Sequence, residues 1–360
     1  MGEEESRAGE DSMITIKEIA KEAGVSIGTV DRVLHNRGRV SREAQEKVNA
    51  VVEKAGYKPN TVAQGLAIRK KGLKICFMVP ETTYNPFFKD VEEAAVRKAK
   101  ELEAYGVRVE FLKLRTNREA KAVQDNIKGI EKIIKDADGL ATIGIEAKEI
   151  LCCVETMEKQ KKPVVFYNSI LNGQKYLAYV GCDYEKSGRL AAGLCALASG
   201  KNARVCMFSQ GLKEAASSFE RIAGFRKEAE AYYPQMKIEG CWQISDDPAE
   251  NYIQVEKMLA EYPDVNVVYI ANPADYKICE LIHRADTNHQ LKIVTNDVVE
   301  TLAQMMEDGV VDATISQQPK VQGALSLEIL FRYLAFGEKP KEKNCYTELH
   351  IHILQNLYQN

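Results

Sequence analysis

A guanidinium group and several hydroxyl groups near the N-terminus have the chemistry needed to recognise DNA. Arg32 can donate two hydrogen bonds to one guanine, which is the commonest base-specific contact in the major groove. The neighbouring Asp31 can accept from a cytosine amine, or it can orient Arg32, and the pattern leaves both roles open. Hydroxyl and basic side chains around them suit phosphate oxygens, which position a protein on DNA without reading its sequence. These phosphate candidates are Thr29, Arg39, Ser41, Arg42 and Lys58.

Polar caps and glycine stops divide this region into three short predicted helices. A Ser or Thr hydroxyl accepts from a free amide at a helix start, and glycine ends a helix because it tolerates the left-handed conformation. The caps and stops are, in chain order, Thr15, Gly24, Ser26, Ser41 and Gly56. Two helices joined at Gly24 have the pattern of a helix-turn-helix motif, whose second helix enters the major groove. The outward residues of that helix are Ile27, Gly28, Asp31 and Arg32.

Charge is distributed unevenly along the chain. The 360 residues have a net charge of −3, but residues 13–74 hold 13 Lys+Arg against 6 Asp+Glu. A basic segment of this kind indicates a polyanionic partner for one small domain. Residues 1–12 are acidic and show no apolar periodicity, so we predict a disordered tail there.

Beyond residue 73, short apolar runs alternate with helical patterns. Alternating strands and helices form parallel sheets with helices on both faces, and about nine strands divide better into two sheets than into one. We therefore predict a small all-α head followed by an α/β body of two doubly wound parallel-sheet subdomains. The predicted strands are Ile75–Val79, Val107–Leu112, Gly139–Ile143, Val164–Tyr167, Leu177–Val180, Ala203–Phe208, Val265–Ala271, Leu291–Thr295 and Ala313–Ser316.

The loop after the first predicted strand is well placed to bind a small molecule, because ligands of open α/β sheets sit outside the carboxyl ends of strands. In this loop Phe87 and Phe88 can offer an aromatic face to the C–H side of a sugar ring. One of these phenylalanines can instead belong to the apolar core, so the sequence leaves both the ligand-binding role and the core role open.

Enzyme motifs are missing from the body. It contains no G-x-G-x-x-G after the first strand, no Walker loop and no G-x-S-x-G elbow. His350 and His352 can face one side of a terminal strand, but no third metal ligand is in view. The nine cysteines are odd in number and lack C-x-x-C spacing, so we expect reduced, mostly buried thiols. We predict no enzyme activity, metal or cofactor; the alternatives are a sugar-processing enzyme and a transport-type sugar receptor.

The head resembles the lactose-repressor/galactose-repressor (LacI/GalR) family of bacterial transcription regulators. The similar stretches are Ile19-Ala-x-x-Ala-Gly-Val-Ser-x-x-Thr-Val-x-Arg-Val-Leu34, Val40-Ser-x-x-x-x-x-x-Val48 and Gly-Tyr-x-Pro-Asn60. The resemblance implies a homodimer on a two-fold-symmetric operator, with residues 61–68 forming a hinge helix whose Leu66 wedges into the minor groove. Gly28 and Asp31 depart from the family, which commonly has a base-reading side chain and a serine there, so the operator sequence stays open. The full DNA-binding set is Thr15, Ser26, Ile27, Gly28, Thr29, Asp31, Arg32, Arg39, Ser41, Lys58, Asn60 and Leu66.

The body looks like the periplasmic sugar-binding proteins, whose fold the sensor domain of this family shares. The loop sequence Asn85-Pro-Phe-Phe88 carries this likeness, and it implies an effector site for a sugar or a related polyhydroxylated molecule. The implied residues are Asn85, Phe87, Phe88, Glu146, Asn168, Arg221, Asp246, Asn272, Asp297 and Gln317. Asn168 and Ser169 stand where relatives often have an acidic–basic pair, which departs from the pattern for ribose-like ligands.

The resemblance also implies a domain plan and a mode of action. The domains are a tail (1–12), a helix-turn-helix domain (13–59), a hinge and linker (60–72) and a sensor (73–360). We predict that subdomain one of the sensor comprises 73–172 and 318–344, and subdomain two 173–317 and 345–360. The acidic N-terminus lacks the pattern of a signal peptide, so we expect a cytoplasmic, nucleoid-associated protein. Effector binding is expected to close the cleft and change the operator affinity of a repressor.

Overall fold

A computed structural model describes residues 14–34, 40–55, 68–82, 86–115, 119–200, 202–211, 216–273, 276–288 and 290–357. Its head contains three helices, α1 (Ile16–Ala23), α2 (Ile27–Leu34) and α3 (Arg42–Lys54). Their apolar faces meet in a small core in which Ile19, Val30 and Val48 are fully buried. Gly24 ends α1 in the left-handed conformation, as its position in the sequence predicts.

The first sheet of the body has the strand order β11-β5-β4-β3-β1-β2, and all of its neighbouring strands are parallel. Its strands are β1 (Lys74–Pro80), β2 (Arg108–Leu114), β3 (Gly139–Ile143), β4 (Val164–Tyr167), β5 (Ala178–Gly181) and β11 (Asn344–Tyr346). The helices of this subdomain are α4 (Phe87–Glu103), α5 (Ala120–Ile134), α6 (Lys148–Lys159) and α12 (Pro319–Phe336). Buried residues of the sheet and of these helices form one apolar core.

The second sheet repeats this plan with the order β12-β10-β9-β8-β6-β7, in which only β12 is antiparallel to its neighbour. Its strands are β6 (Arg204–Gln210), β7 (Lys237–Ile244), β8 (Val267–Asn272), β9 (Lys292–Asn296), β10 (Ala313–Ser316) and β12 (His350–His352). The helices are α7 (Tyr184–Ser199), α8 (Ala216–Tyr232), α9 (Pro248–Glu261), α10 (Lys277–Ala285) and α11 (Glu300–Glu307). The predicted fold class, a helical head with two parallel-sheet subdomains, is confirmed.

Glycines bring one pair of helices in each subdomain into backbone contact. In the second subdomain a Cβ on Gly188 of α7 would overlap the carbonyl oxygen of Arg221 on α8, and one on Gly224 of α8 would overlap that of Glu185. In the first subdomain a Cβ on Gly323 of α12 would overlap the carbonyl oxygen of Val91 on α4. The absence of side chains at these positions therefore sets how closely the helices approach.

The structure corrects the predicted boundaries between the subdomains. β5 pairs with β4, so the chain leaves the first sheet after Gly181 and not near Asn172, and β11 keeps residues 344–346 in that sheet. The turn at Asn172 and Gly173 only joins two neighbouring strands, and an apolar run does not tell which sheet it enters. β7 was not predicted, because this edge strand is only half-buried and lacks a continuous apolar run.

All nine cysteines carry free thiols, and six of them are buried. Across the described ranges, no helix is long and apolar enough to cross a membrane.

Candidate functional site

The outer surface of the head presents the residues predicted to read bases. On α2, Ile27, Gly28 and Arg32 are exposed, while Thr29 and Asp31 are half-buried. The Arg32 guanidinium passes beside Gly28, 3.8 Å from where a Cβ would stand. A single cation therefore lies over the smallest residue of the helix, in the place where a recognition helix meets the major groove.

Three of the predicted hydroxyls fix the starts of the head helices. The Ser26 Oγ accepts the Thr29 amide at 3.1 Å, and the Thr15 and Ser41 hydroxyls accept amides at the starts of α1 and α3. Thr15 and Glu18 form the predicted capping box. The other predicted DNA contacts, Arg39, Lys58, Asn60 and Leu66, lie outside the described residues.

Arg221 is the most unusual polar residue of the body, because a cation is almost completely buried there. It is 3 % exposed, and its Nη1 donates to the carbonyl oxygen of Ala271 at 2.7 Å. Its Nε and Nη2 are buried and find no hydrogen-bond partner among the residues that the structure describes. The guanidinium carbon lies 5.0 Å from the ring centre of Tyr184, within the range of a cation–π contact. Buried donors of this kind require an acceptor, and this makes Arg221 a natural ligand-binding group.

Asp297 and Gln317 complete the polar end of the second sheet. Gln317 is buried and its Nε2 donates to the Asp297 Oδ1 at 2.7 Å. Burial raises the pKa of the Asp297 carboxyl above its usual range, although Arg221 and Gln317 act in the opposite direction. Burial also lowers the pKa of Arg221, but Asp297 and nearby tyrosines more than offset this, so the guanidinium stays charged. The site thus combines a fixed cation with an acid that accepts hydrogen bonds.

Two other predicted residues, Asn272 and Asp246, are joined to the same end of the second sheet. The Asn272 Nδ2 is 3.5 Å from the Ser218 Oγ, which donates to the carbonyl oxygen of Gln210. The Gln210 side chain in turn donates to Asp246 at 3.0 Å. These contacts connect the ends of β8 and β6 with the loop before α9.

The first subdomain contributes a different kind of surface. Phe87 and Phe88 are each 5 % exposed and meet edge to face at the start of α4, inside the apolar core. Asn168 is half-buried after β4, with its Nδ2 3.5 Å from the Gln322 Oε1. Glu146 is exposed on the loop after β3, and Asn85 lies outside the described residues. Both phenylalanines therefore pack chiefly as core residues.

Several buried polar residues near these side chains were not predicted. Asn296 at the end of β9 donates to the carbonyl oxygens of Ile270 and Ala271 and contacts the Ser187 hydroxyl. The side chains of Tyr184 and Gln322 both contact Asn168, the residue that follows β4. One sequence signal could have found such residues: a polar residue among the mostly apolar buried positions of a helix. Gln322 on α12 is an example.

Family models match both parts of the chain. The model for the periplasmic binding protein domain matches residues 75–339, and the model for bacterial regulatory proteins of the lacI family matches residues 15–60. Over most of its length the chain belongs to the periplasmic binding protein domain family, and its head is a DNA-binding domain of the lacI family. The predicted resemblance of the head to the lacI family and of the body to periplasmic binding proteins is therefore confirmed.

Curated relatives of the chain agree with the models. The chain is 28% identical over 233 residues to the HTH-type transcriptional regulator pepR1 of Lactobacillus delbrueckii subsp. lactis, and the match covers 63% of each protein. It is 29% identical over 281 residues to the ribose operon repressor of Bacillus subtilis (strain 168), with 76% of each covered. The match thus spans just under two thirds of the first relative and about three quarters of the second.

Solved structures share the fold of the body. GanP, a glucose-galactose binding protein from Geobacillus stearothermophilus, has a TM-score of 0.68 at 20% identity, covering 79% of this chain and 99% of that one. A putative LacI transcriptional regulator from Bacteroides fragilis has a TM-score of 0.68 at 17% identity, covering 79% and 98%. At this identity the likeness shows the fold alone.

Proposed function

We propose that this chain is a repressor whose affinity for a two-fold-symmetric operator is controlled by a sugar or a related small polyhydroxylated molecule. The observation that carries the proposal is the buried Arg221, which lies near Asp297 and whose Nε and Nη2 have no hydrogen-bond partner within the described part of the chain. A hydroxyl group both donates and accepts, so one polyol can satisfy the arginine donors and the aspartate oxygens together. The opposite charges of the two side chains favour a neutral ligand over an anion.

The names of relatives support this ligand class. They include the ribose operon repressor of Bacillus subtilis and the glucose-galactose binding protein GanP. Amide groups on both sides of the cleft, from Asn168, Asn272 and Gln317, add donors and acceptors suited to further hydroxyls. We propose the other predicted polar residues, Asn85, Glu146 and Asp246, as secondary contacts, while Phe87 and Phe88 support the loop from the apolar core.

We further propose that the protein acts as a homodimer. Closure of the effector site would change the angle between the subdomains and so the spacing of the two heads, which decides whether both reach their half-sites. Coupling of this kind is reciprocal, so operator DNA must change effector affinity by the same factor.

A binding screen followed by an operator titration tests the effector. Pentoses, hexoses, polyols and nucleosides are screened for a rise in melting temperature, since a ligand that binds only the folded state stabilises it. The operator is selected from random duplex DNA, and fluorescence anisotropy measures its affinity with and without each compound that binds. We expect at least one neutral polyol to shift operator affinity. If binding compounds leave that affinity unchanged, control by this ligand class is refuted.

Two head variants test how the DNA is read. Arg32→Ala should weaken the selected operator by about 1–3 kcal/mol and relax the preference at one base pair, because it removes a bidentate contact. Ser41→Ala should weaken all sequences alike, because a phosphate contact carries no sequence information. An operator that binds Arg32→Ala as tightly as the unmodified chain would contradict the assignment of Arg32.

A further inference from the structure

Tyr184, the first residue of α7, contacts both subdomains. Its side chain is buried, and its hydroxyl donates to the main-chain oxygen of Asn168 at 2.6 Å. Asn168 directly follows β4 of the first sheet. The Tyr184 ring lies beneath the guanidinium of Arg221, which belongs to the second subdomain. One side chain therefore joins the buried cation of one subdomain to the backbone of the other.

The two ends of Tyr184 are held with different rigidity. The backbone contacts at Gly188 and Gly224 hold α7 against α8, so they fix the spacing between the backbones of Tyr184 and Arg221 but not their side chains. The bond from the Tyr184 hydroxyl to Asn168 is the end that crosses between the subdomains. A change in the angle between the subdomains must stretch this bond or tilt the ring under Arg221.

A second path connects the same strand end to Asp297. The Gln322 Nε2 donates to the main-chain oxygen of Gln317 at 3.0 Å, and Gln317 donates to Asp297 at 2.7 Å. The Gln322 Oε1 faces the Asn168 amide at 3.5 Å. Tyr184 follows the first crossover between the sheets and Gln322 follows the second, so Asn168 is approached from both.

We propose that Tyr184 is a positioning residue that couples the orientation of Arg221 to the angle between the subdomains, and that Gln322 makes the parallel link from Asn168 toward Asp297. The inference rests on the proposed function, because it takes Arg221 to be a residue that binds the effector. A ligand that draws the guanidinium off the Tyr184 ring frees the tyrosine to release Asn168. Conversely, rotation of the subdomains changes the platform on which the arginine rests.

The test compares Tyr184→Phe with Tyr167→Phe in the full chain. Both tyrosines are buried and donate to a main-chain oxygen at 2.6 Å, but Tyr167 bonds to Met78 within the first subdomain. The exposed Lys128 of α5 and Glu256 of α9 are replaced by p-acetylphenylalanine, and each is labelled with a nitroxide. Pulsed electron paramagnetic resonance then measures the distance between the two labels, and so between the subdomains. No ligand or DNA is added, so the result can be read even if no sugar binds.

We expect Tyr184→Phe to shift the ratio of interdomain distance populations by about 2- to 12-fold, the effect of losing one buried hydrogen bond. Tyr167→Phe should leave the ratio unchanged. The Arg221 Nε–H resonance, assigned by its loss in Arg221→Met, should move in Tyr184→Phe only. Equal distance distributions and unmoved Arg221 resonances in both variants would overturn the proposal. If Tyr184→Phe does not fold, the same distances are measured in Gln322→Met. An unchanged ratio of distance populations in that variant would likewise overturn the proposal.

Discussion

The two halves of the body share one architecture but differ in the chemistry at the ends of their strands. In each half the fifth residue of a crossover helix is a glycine, Gly188 or Gly323, that touches the backbone of the helix after the first strand. The residue touched is Arg221 in the second subdomain and the fully buried Val91 in the first. A common backbone contact thus holds a cation in one half and an aliphatic side chain in the other.

The ends of β4 and β9 repeat the comparison. Asn168 and Asp297 each follow their strand with a positive φ, 61° and 69°, and each donates its amide to the adjacent strand. The first is a neutral amide and the second an acid with a raised pKa. The fold therefore supplies equivalent positions, and of this pair only the position in the second subdomain carries an acidic residue.

The largest expected effect on the free energy of unfolding comes from the glycine contacts. Gly188→Ala and Gly323→Ala should each lower the free energy of unfolding by about 1–3 kcal/mol, because the new methyl group forces two backbones apart. Gly193→Ala in α7 is the matched control, because its Cβ would lie 3.6 Å from the nearest atom, the Tyr233 hydroxyl oxygen. The free energy of unfolding should therefore rise by about 0.5–1 kcal/mol. Urea unfolding measures all three. Only Gly188→Ala should also weaken effector binding, and an equal loss in Gly323→Ala would contradict the division of roles.

The next effect comes from making the second subdomain like the first. Arg221→Val should weaken effector binding by about 1.5–3 kcal/mol, which is about 10- to 150-fold, because hydrogen bonds from a charged group are lost. Isothermal titration with a compound from the screen measures this change. The control is Arg189→Val, since Arg189 lies on the outer side of α7 and pairs with Glu228 at the surface. Unchanged affinity in Arg221→Val would show that the buried arginine is purely structural.

The smallest effect concerns the strand-end acid. Because the folded pKa of Asp297 is raised, its stabilising contribution is present below the ordinary carboxyl pKa and is lost as pH rises through the folded value. Asp297→Asn should therefore gain stability relative to the unmodified chain as pH rises from 4 to 8. Urea unfolding across this range measures it. Asn168→Asp, the reverse exchange at the equivalent position, serves as the comparison. If the difference in free energy of unfolding between Asp297→Asn and the unmodified chain does not change with pH, the raised pKa is contradicted.

The helix limits of the head could be predicted from local sequence, while the sheet assignment and the contacts of the body could not. The caps at Thr15 and Ser41 and the stop at Gly24 act over one helical turn, so the local sequence contains all the information they need. The assignment of β5 to the first sheet depends on which distant strand it pairs with, and no local pattern records that. Arg221, which lies on α8, and the strand-end residues Asp297 and Gln317 were predicted through the resemblance, but their contacts were not.

By itself the sequence determined the helix-turn-helix and the alternation of strands and helices, because capping and apolar periodicity are local properties. Only the tertiary structure decided that Phe87 and Phe88 pack into a core and that Arg221 is buried with two unpaired donors. It alone showed Tyr184 joining the subdomains. Burial and pairing depend on residues far apart in the chain, which come together only when helices meet at Gly188 and strands cross between sheets.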